Sequence, residues 1–282
     1  MKNFLYPALF VGLWSTGFVG AKFGLPYAEP LSFLLLRYVC VVSLMLLLAL
    51  LARAAWPRDW RTWLHLGVAG ILIHAIYLSG VFMAINQGLP AGIVSLVVGL
   101  QPLLTAMVAG LLLGESVRQR QWLGLILGLA GTVIVLSGRL RAGFDLAGLW
   151  PALAALLGIS SGALYQKRFC PHFDWRSGAV IQFMAAALVT LPFACVYENF
   201  EVQWTADFVF ALGWLVLVLS LGAVTLLNHL IRSGTAVNVA SLFYLVPPMT
   251  ALVAWVVFDE IFSITMLAGL LIAVVGVSLA RK

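Results

Sequence analysis

The sequence predicts an all-α polytopic membrane protein, in which ten transmembrane helices form two inverted five-helix repeats. Three observations predict this fold class: an apolar composition, ten hydrophobic runs of spanning length and an internal repeat at one constant offset. Of the 282 residues, 63% are hydrophobic and 9% are charged. A soluble domain is typically about 25% charged, and one or two soluble domains could not bury so much apolar surface. The composition therefore predicts that the protein is embedded in a lipid bilayer.

The apolar runs have the length of membrane-spanning helices, because about 20 helical residues cross a hydrocarbon core of about 30 Å. The connections between the runs are short, and none is long enough to fold as a separate domain. The first run exceeds the apolar region of a secretory signal, which has roughly 7–15 residues, so we interpret it as a span. The predicted spans are 4–22, 31–52, 63–86, 90–113, 120–138, 147–166, 177–197, 208–231, 236–258 and 264–280.

The positions of Lys and Arg predict the orientation, because these residues are enriched on the cytoplasmic side of membrane proteins. With a cytoplasmic N-terminus, twelve of them lie on the inner side and three on the outer side, while Arg37 lies within a span. The inner set is Lys2, Arg53, Arg58, Arg61, Arg118, Arg120, Lys167, Arg168, Arg176, Arg232, Arg281 and Lys282, and the outer set is Lys22, Arg139 and Arg141. We therefore expect both termini in the cytoplasm. Basic loops also explain the net charge of +6 without a nucleic-acid partner.

The two halves of the sequence match each other at a constant offset of 145 residues. In the first and sixth spans, Ser15, Gly17 and Lys22 correspond to Ser160, Gly162 and Lys167. In the fourth and ninth spans, Ala91, Val94, Pro102, Thr105, Ala106, Val108, Ala109 and Glu115 correspond to Ala236, Val239, Pro247, Thr250, Ala251, Val253, Ala254 and Glu260. A unit of five helices starts on one side of the membrane and ends on the other. The second unit, 143–282, therefore starts from the opposite side and is predicted to be inverted relative to unit 1–142. Inverted repeats are characteristic of secondary transporters, whose substrate sites lie near the midplane.

Prolines interrupt the fourth and ninth predicted spans at matching depth. Pro102 lies in the middle of the fourth span, and Pro247 and Pro248 lie in the middle of the ninth. Each proline removes a helical N–H and displaces the carbonyl four residues earlier. Such paired breaks point to a binding site and a gating role. The alternative is that they are ordinary packing kinks.

Several motifs resemble the EamA family of the drug/metabolite transporter superfamily. The motifs are Leu13-Trp14-Ser15 with Lys22, Arg37 early in the second span, and Pro102 followed by Gly114-Glu115 before a glycine-lined helix. The resemblance covers nearly the whole chain, and within the family it is greatest to bacterial inner-membrane exporters of aromatic amino acids and related metabolites. It implies a ten-helix carrier with a central cavity that works by alternating access, with the fifth and tenth helices beside the core. The second half departs from the pattern, because Gln182 matches Arg37 and Asp259 matches Gly114.

Arg37 is the strongest candidate for substrate binding. A charged group about seven residues into a span is expensive in lipid and usually faces a cavity or a partner. There it could attract a substrate carboxylate. The alternatives are that Arg37 extends to the outer interface or pairs with a helix end.

The other candidate residues are polar or aromatic side chains at a similar depth. His74 and Tyr77 lie three residues apart on one face of the third span, while His229 and Asn228 lie near the inner end of the eighth. A histidine or aromatic residue in a span can also be a packing residue. The expected substrate-binding set is Trp14, Ser15, Arg37, His74, Tyr77, Gln101, Ser160, Tyr165, Ser241 and Tyr244, with Pro102, Pro247 and Pro248 as helix-break residues.

Two residue patterns bear on partners. Gly124, Gly128 and Gly131 match Gly269, Ala273 and Gly276, and such small-residue stripes let helices approach closely. Contact in a homodimer is the alternative use, so we expect a monomer or a weak homodimer. The three cysteines form no CxxC pair and no metal-ligand spacing, and we expect neither a cofactor nor a metal.

The sequence favours a transporter over other classes of membrane protein. The acidic residues fall in loops or at helix ends, so a proton-coupled mechanism would require a histidine to titrate. An intramembrane enzyme would need paired aspartates, a serine–histidine pair or a zinc motif such as HExxH, and no such motif occurs. A channel-like facilitator of small solutes is the main alternative. The expected substrates are small metabolites with a bulky apolar side chain, aromatic amino acids in particular.

Overall fold

The computed structural model describes residues 2–114, 116–142, 146–258 and 264–280. Within these ranges the regular structure is helical, with one isolated bridge between Ala28 and Val202. We number the helical segments α1 Lys2–Gly24, α2 Pro30–Leu51, α3 Trp60–Asn86, α4 Ala91–Leu113, α5 Gln119–Ala142, α6 Leu149–Phe169, α7 Trp175–Tyr197, α8 Ala206–Ser233, α9 236–258 and α10 Ile264–Ala280. The matched pair Glu115 and Glu260, and also Asp145, Asp259, Arg281 and Lys282, lie outside the described residues.

Eight stretches of the described chain are long and apolar enough to cross a membrane. They belong to α1–α5 and α7–α9, and α10 is a shorter apolar helix of 17 residues. α6, with 21 residues, is not among the eight. An all-helical polytopic membrane protein is therefore confirmed.

Local sequence explains where the helices begin and end. Pro30 opens α2, where its missing N–H breaks no hydrogen bond. The Asp59 carboxylate accepts from the Thr62 amide at 2.8 Å and caps α3. Gly114 ends α4 in the left-handed conformation, at φ +67°, which glycine adopts without steric cost.

The main helix contacts join one helix from the first half of the chain to one from the second half. α2 packs along α7, and α5 packs along α10. α1 packs against α8 and α9, whereas α6 packs against α3 and α4. Under the offset of 145 residues, each of these contacts has a counterpart with the two halves exchanged.

The small-residue stripes of α5 and α10 face each other within one chain. A methyl group placed on Gly131 would lie 2.6 Å from the Gly269 carbonyl oxygen, and one on Gly276 would lie 2.7 Å from the Gly124 oxygen. The predicted role in close helix packing is therefore confirmed. The Gly128 position of the same stripe faces the Tyr244 ring.

Two loops at one end of the bundle are joined by carboxylates. Glu198 accepts hydrogen bonds from the Leu31 and Ser32 amides, both at 2.7 Å, and from the Ser32 hydroxyl at 2.7 Å. Glu29 accepts from the Asn199 amide at 2.9 Å. The first amides of a helix have no partner within the helix and favour a negative charge, so Glu198 fixes the start of α2 to the end of α7.

Candidate functional site

A small buried cavity lies among α1, α2, α3 and α8. Its volume of about 30 Å³ holds water-sized space but no organic molecule. Its lining residues are Trp14, Gly17, Phe18, Arg37, Ile73, His74, Tyr77, Leu78, Val81, Phe82, Leu219 and Val224.

Two π-helical segments contribute residues to the lining of this cavity. α3 is π-helical over Ile71–Ile76, and α8 is π-helical over Leu215–Ala223. The offset of 145 residues places the first segment within the second. π-turns are rare and often occur at functional sites. Here they supply Ile73, His74 and Leu219 to the lining.

Arg37 is buried, with 3% of its surface exposed. Its Nε donates a hydrogen bond to the Ser220 hydroxyl at 3.1 Å, and that hydroxyl donates to the Leu215 carbonyl at 3.1 Å within the π-segment. Ser220 is the one hydrogen-bond partner of Arg37 in the described chain, and no described carboxylate pairs with it. The two terminal nitrogens of the guanidinium are therefore available to a ligand in the cavity.

Trp14 and Tyr77 form an aromatic wall beside Arg37. Their rings stack at 6.0 Å with an interplanar angle of 16°, and the Trp14 indole N–H donates to the Tyr77 hydroxyl at 3.2 Å. Phe10 and Phe243 pack against Trp14 on its other sides. Because the Tyr77 oxygen accepts from Trp14, its own proton remains available to donate.

His74 is held between α2 and α7. Its ring stacks on Phe183 at 3.9 Å, and its carbonyl accepts from the Tyr38 hydroxyl at 2.7 Å. The Nε2 atom of His74 has no hydrogen-bond partner in the described chain. The ring is thus held by stacking on Phe183, beside the backbone bond to Tyr38.

A buried chain of side-chain amides runs from Gln182 to Asn228, near the C-terminal end of α8. The Gln182 amide donates to Gln166 at 2.8 Å, and the Gln166 amide donates to Asn228 at 2.9 Å. Gln182 stands at the position that matches Arg37 in the repeat. It belongs to this network and does not line the cavity of Arg37.

The structure brings four of the predicted binding residues together: Trp14, Arg37, His74 and Tyr77. Gln101 lines a separate cavity of about 10 Å³ with Thr105 and Lys167. The Gln101 side-chain oxygen and the Thr105 hydroxyl have no partner among the described residues. This second cavity has room for a single water molecule.

The remaining predicted binding residues lie away from the cavity of Arg37. Ser15 donates to the Val11 and Val246 carbonyls, and Ser241 donates to the Asn238 carbonyl. The Ser160 hydroxyl is buried without a partner in the described chain.

Two predicted tyrosines also lie outside this cavity. The Tyr165 hydroxyl is 2.7 Å from His65 Nδ1, beside Phe169. The Tyr244 ring packs over Gly128 on α5 and is not among the residues that line the cavity of Arg37.

The predicted helix breaks occur in both spans. α4 is interrupted between Val98 and Gln101, directly before Pro102, and α9 narrows to a 3₁₀ turn over Ser241–Leu245, before Pro247 and Pro248. The two breaks touch, because a methyl group on Gly99 would lie 3.5 Å from the Pro247 ring. The Tyr244 carbonyl, displaced by Pro248, accepts from the Thr132 hydroxyl at 3.0 Å. None of these three prolines lines the cavity of Arg37.

Sequence reasoning missed two positioning residues, Ser220 and Tyr38. Ser220 lies in a long apolar run, and its hydroxyl contacts a guanidinium 183 positions away in the chain. Tyr38 follows Arg37 directly and is fully buried. A hydroxyl in an apolar span at the level of a buried arginine is the signal that could have identified both.

The chain is similar in sequence to a family of transporters and to individual bacterial transporters. The model of the EamA-like transporter family matches residues 4–137 and 146–281. An uncharacterized transporter of Bacillus subtilis, YvbV, is 29% identical over 99% of this chain and 92% of its own length. The uncharacterized inner membrane transporter YedA of Escherichia coli is 27% identical over 87% of this chain and 79% of its own.

A third relative and a solved structure extend these similarities. A probable amino-acid metabolite efflux pump of Escherichia coli is 28% identical over 68% of this chain and 62% of its own length. One crystal structure of a protein superposes with a TM-score of 0.78 over 99% of this chain and 97% of its own, at 21% identity. That similarity concerns the fold alone.

Proposed function

This chain belongs to the EamA-like transporter family, and from that premise we propose that it exports small metabolites that combine an apolar body with a carboxylate. Aromatic amino acids are the leading case from the sequence. The observation that carries this proposal is the buried Arg37, whose terminal nitrogens have no partner in the described chain and which lies beside the aromatic wall of Trp14 and Tyr77. Family membership points to a transporter rather than an enzyme.

Alternating access is the mechanism that we propose for this carrier. The cavity of about 30 Å³ admits no organic substrate, so helices must move for a substrate to enter or leave. The breaks of α4 and α9 meet at Gly99 and Pro247 and provide hinge points at matching positions of the two halves. On the side of the second cavity, Lys167 donates to the Ile231 and Gly234 carbonyls, which ties the end of α6 to the end of α8.

We also propose that units 1–142 and 143–282 are inverted repeats with ten membrane-spanning helices. The reciprocal packing of α1 with α8 and of α6 with α3 supports this arrangement, as do the paired π-segments. With the charge bias of the loops, it gives a multi-pass inner-membrane protein with both termini cytoplasmic.

We expect a cysteine at Asn199 to be accessible from outside the cell. Asn199 is exposed in the loop between α7 and α8, and Arg58 is exposed in the loop between α2 and α3. In a variant without Cys40, Cys170 and Cys195, an impermeant thiol reagent should label Asn199→Cys in intact cells, and Arg58→Cys only after lysis. The reverse pattern would overturn the proposed orientation.

Counterflow into proteoliposomes tests the transport function. Vesicles that contain the full chain and an excess of unlabelled carboxylate should transiently concentrate the labelled compound, because a carrier exchanges substrate through one alternating site. The panel should include aromatic amino acids, aromatic acids and phosphorylated metabolites, with protein-free vesicles as the control. Flux that neither saturates nor overshoots would favour the channel-like facilitator. Saturable transport of phosphorylated compounds alone would refute the substrate proposal.

A further inference from the structure

The polar groups that line the cavity of Arg37 are almost all hydrogen-bond donors. Four polar side chains take part in the lining: Trp14, Arg37, His74 and Tyr77. Indole and guanidinium groups can only donate. The Tyr77 oxygen already accepts from Trp14, which leaves its O–H to donate into the cavity.

The charge of the cavity has the same sign as an ammonium group. Arg37 is the one formally charged residue in the lining. The described carboxylates nearest in sequence to the lining helices bond to other groups: Glu29 accepts from the Asn199 amide, Asp59 from the Thr62 amide and Asp207 from the Tyr27 hydroxyl. A ligand carboxylate would therefore be attracted to this cavity, whereas a ligand ammonium would be repelled by Arg37.

An ammonium group would also lack acceptors. It has three N–H donors, whereas the lining side chains offer few acceptors: one nitrogen of a neutral His74 ring and the Tyr77 oxygen, which already accepts from Trp14. The faces of Trp14 and Tyr77, which could attract a cation, stack on each other at 6.0 Å. Burying an ammonium without partners is costly, so this group would weaken the binding of an amino acid.

The rest of the lining suits an apolar body. Phe18, Leu78, Phe82 and Leu219 contribute apolar surface around the polar cluster. A fixed guanidinium beside such walls matches a ligand with a carboxylate at one end and an aryl or alkyl group at the other.

We propose that the cavity of Arg37 selects apolar monocarboxylates that lack an α-ammonium group, such as 3-phenylpropionate, over the corresponding amino acids. This inference rests on the proposed function and narrows its substrate class. The preferred substrate is then an aryl or alkyl carboxylate. The guanidinium of Arg37 binds its carboxylate group through two N–H donors.

A matched set of four compounds tests the inference on the full chain in proteoliposomes. The set is 3-phenylpropionate, phenylalanine, phenylethylamine and 3-phenylpropanamide, which share one aryl body and differ in carboxylate and ammonium. Each is added as a competitor during counterflow of labelled 3-phenylpropionate, at a pH well above the pKa of the acid. Protein-free vesicles measure passive leakage. We expect the half-inhibitory concentration of 3-phenylpropionate to be at least tenfold below that of phenylalanine, with no inhibition by the amine.

The outcomes separate this inference from the proposed function. If phenylalanine competes as well as 3-phenylpropionate, the inference is wrong while carboxylate export remains supported. If neither carboxylate gives saturable counterflow, the proposed function fails and the inference fails with it. Inhibition by phenylethylamine in the same range as by the acid would overturn the assignment of a donor-only, positively charged cavity.

Discussion

Replacing Arg37 with glutamine is expected to raise the half-saturation concentration for carboxylate substrates roughly 30- to 1,000-fold. Truncating one partner of a buried, hydrogen-bonded charge pair costs about 2–4 kcal/mol, which corresponds to this range. Glutamine retains N–H donors but lacks the charge and the fork of the guanidinium. Initial rates of counterflow at several substrate concentrations measure the effect.

Two controls distinguish a binding role of Arg37 from a structural one. Transport of a neutral analogue such as indole should change little in Arg37→Gln, and Arg58→Gln, at an exposed loop position, should leave carboxylate transport unchanged. The melting temperature of Arg37→Gln should not fall, because the variant removes a buried charge that has no described carboxylate partner. Equal losses for indole and carboxylates, or a lower melting temperature, would assign Arg37 a structural role.

Replacing Gly131 with alanine is expected to destabilise the protein by about 1–3 kcal/mol, the usual cost of overpacking. The added methyl group would lie 2.6 Å from the Gly269 oxygen and even closer to the Ala273 amide nitrogen, so α5 and α10 would have to separate. Thermal unfolding of the detergent-solubilised protein, followed by fluorescence-detected size exclusion, measures the change.

Gly12→Ala is the matched control for this prediction. Gly12 lies in α1, and a methyl group there would meet nothing within 4 Å. Because alanine is favoured over glycine in a helix by about 0.8–1.0 kcal/mol, Gly12→Ala should be neutral or slightly stabilising. Equal stability of the two variants would show that the α5–α10 contact tolerates a wider separation than the structure describes.

The sequence alone predicted the features that depend on composition, length and the repeat. The apolar composition, the lengths of the runs and the absence of long loops predicted a helical membrane protein. The constant offset identified the prolines that interrupt α4 and α9 and the glycines that join α5 and α10. These features could be predicted without the tertiary structure. A proline interrupts a helix, and a glycine allows another helix to approach closely, wherever the helix lies in the protein.

The binding residues were predicted only in part. Trp14, Arg37, His74 and Tyr77 share one cavity, whereas Tyr165 and Tyr244 were selected by the same reasoning from depth and polarity and lie elsewhere. In a soluble helix the apolar face identifies the buried side. In lipid both faces are apolar, so the sequence gives the depth of a residue but not its direction.

Tertiary packing decided the remaining features of the site. The segments Ile71–Ile76 and Leu215–Ala223 are apolar runs like their neighbours in sequence, yet they adopt wide π-turns. The resulting geometry places Ser220 against Arg37 and lets Tyr38 bond to the carbonyl of His74. These contacts join residues far apart in the chain. The sequence by itself thus determined which helices form and where they break, and only the packing of those helices decided which polar groups meet, because the rotation of a helix in lipid is fixed by its contacts with other helices.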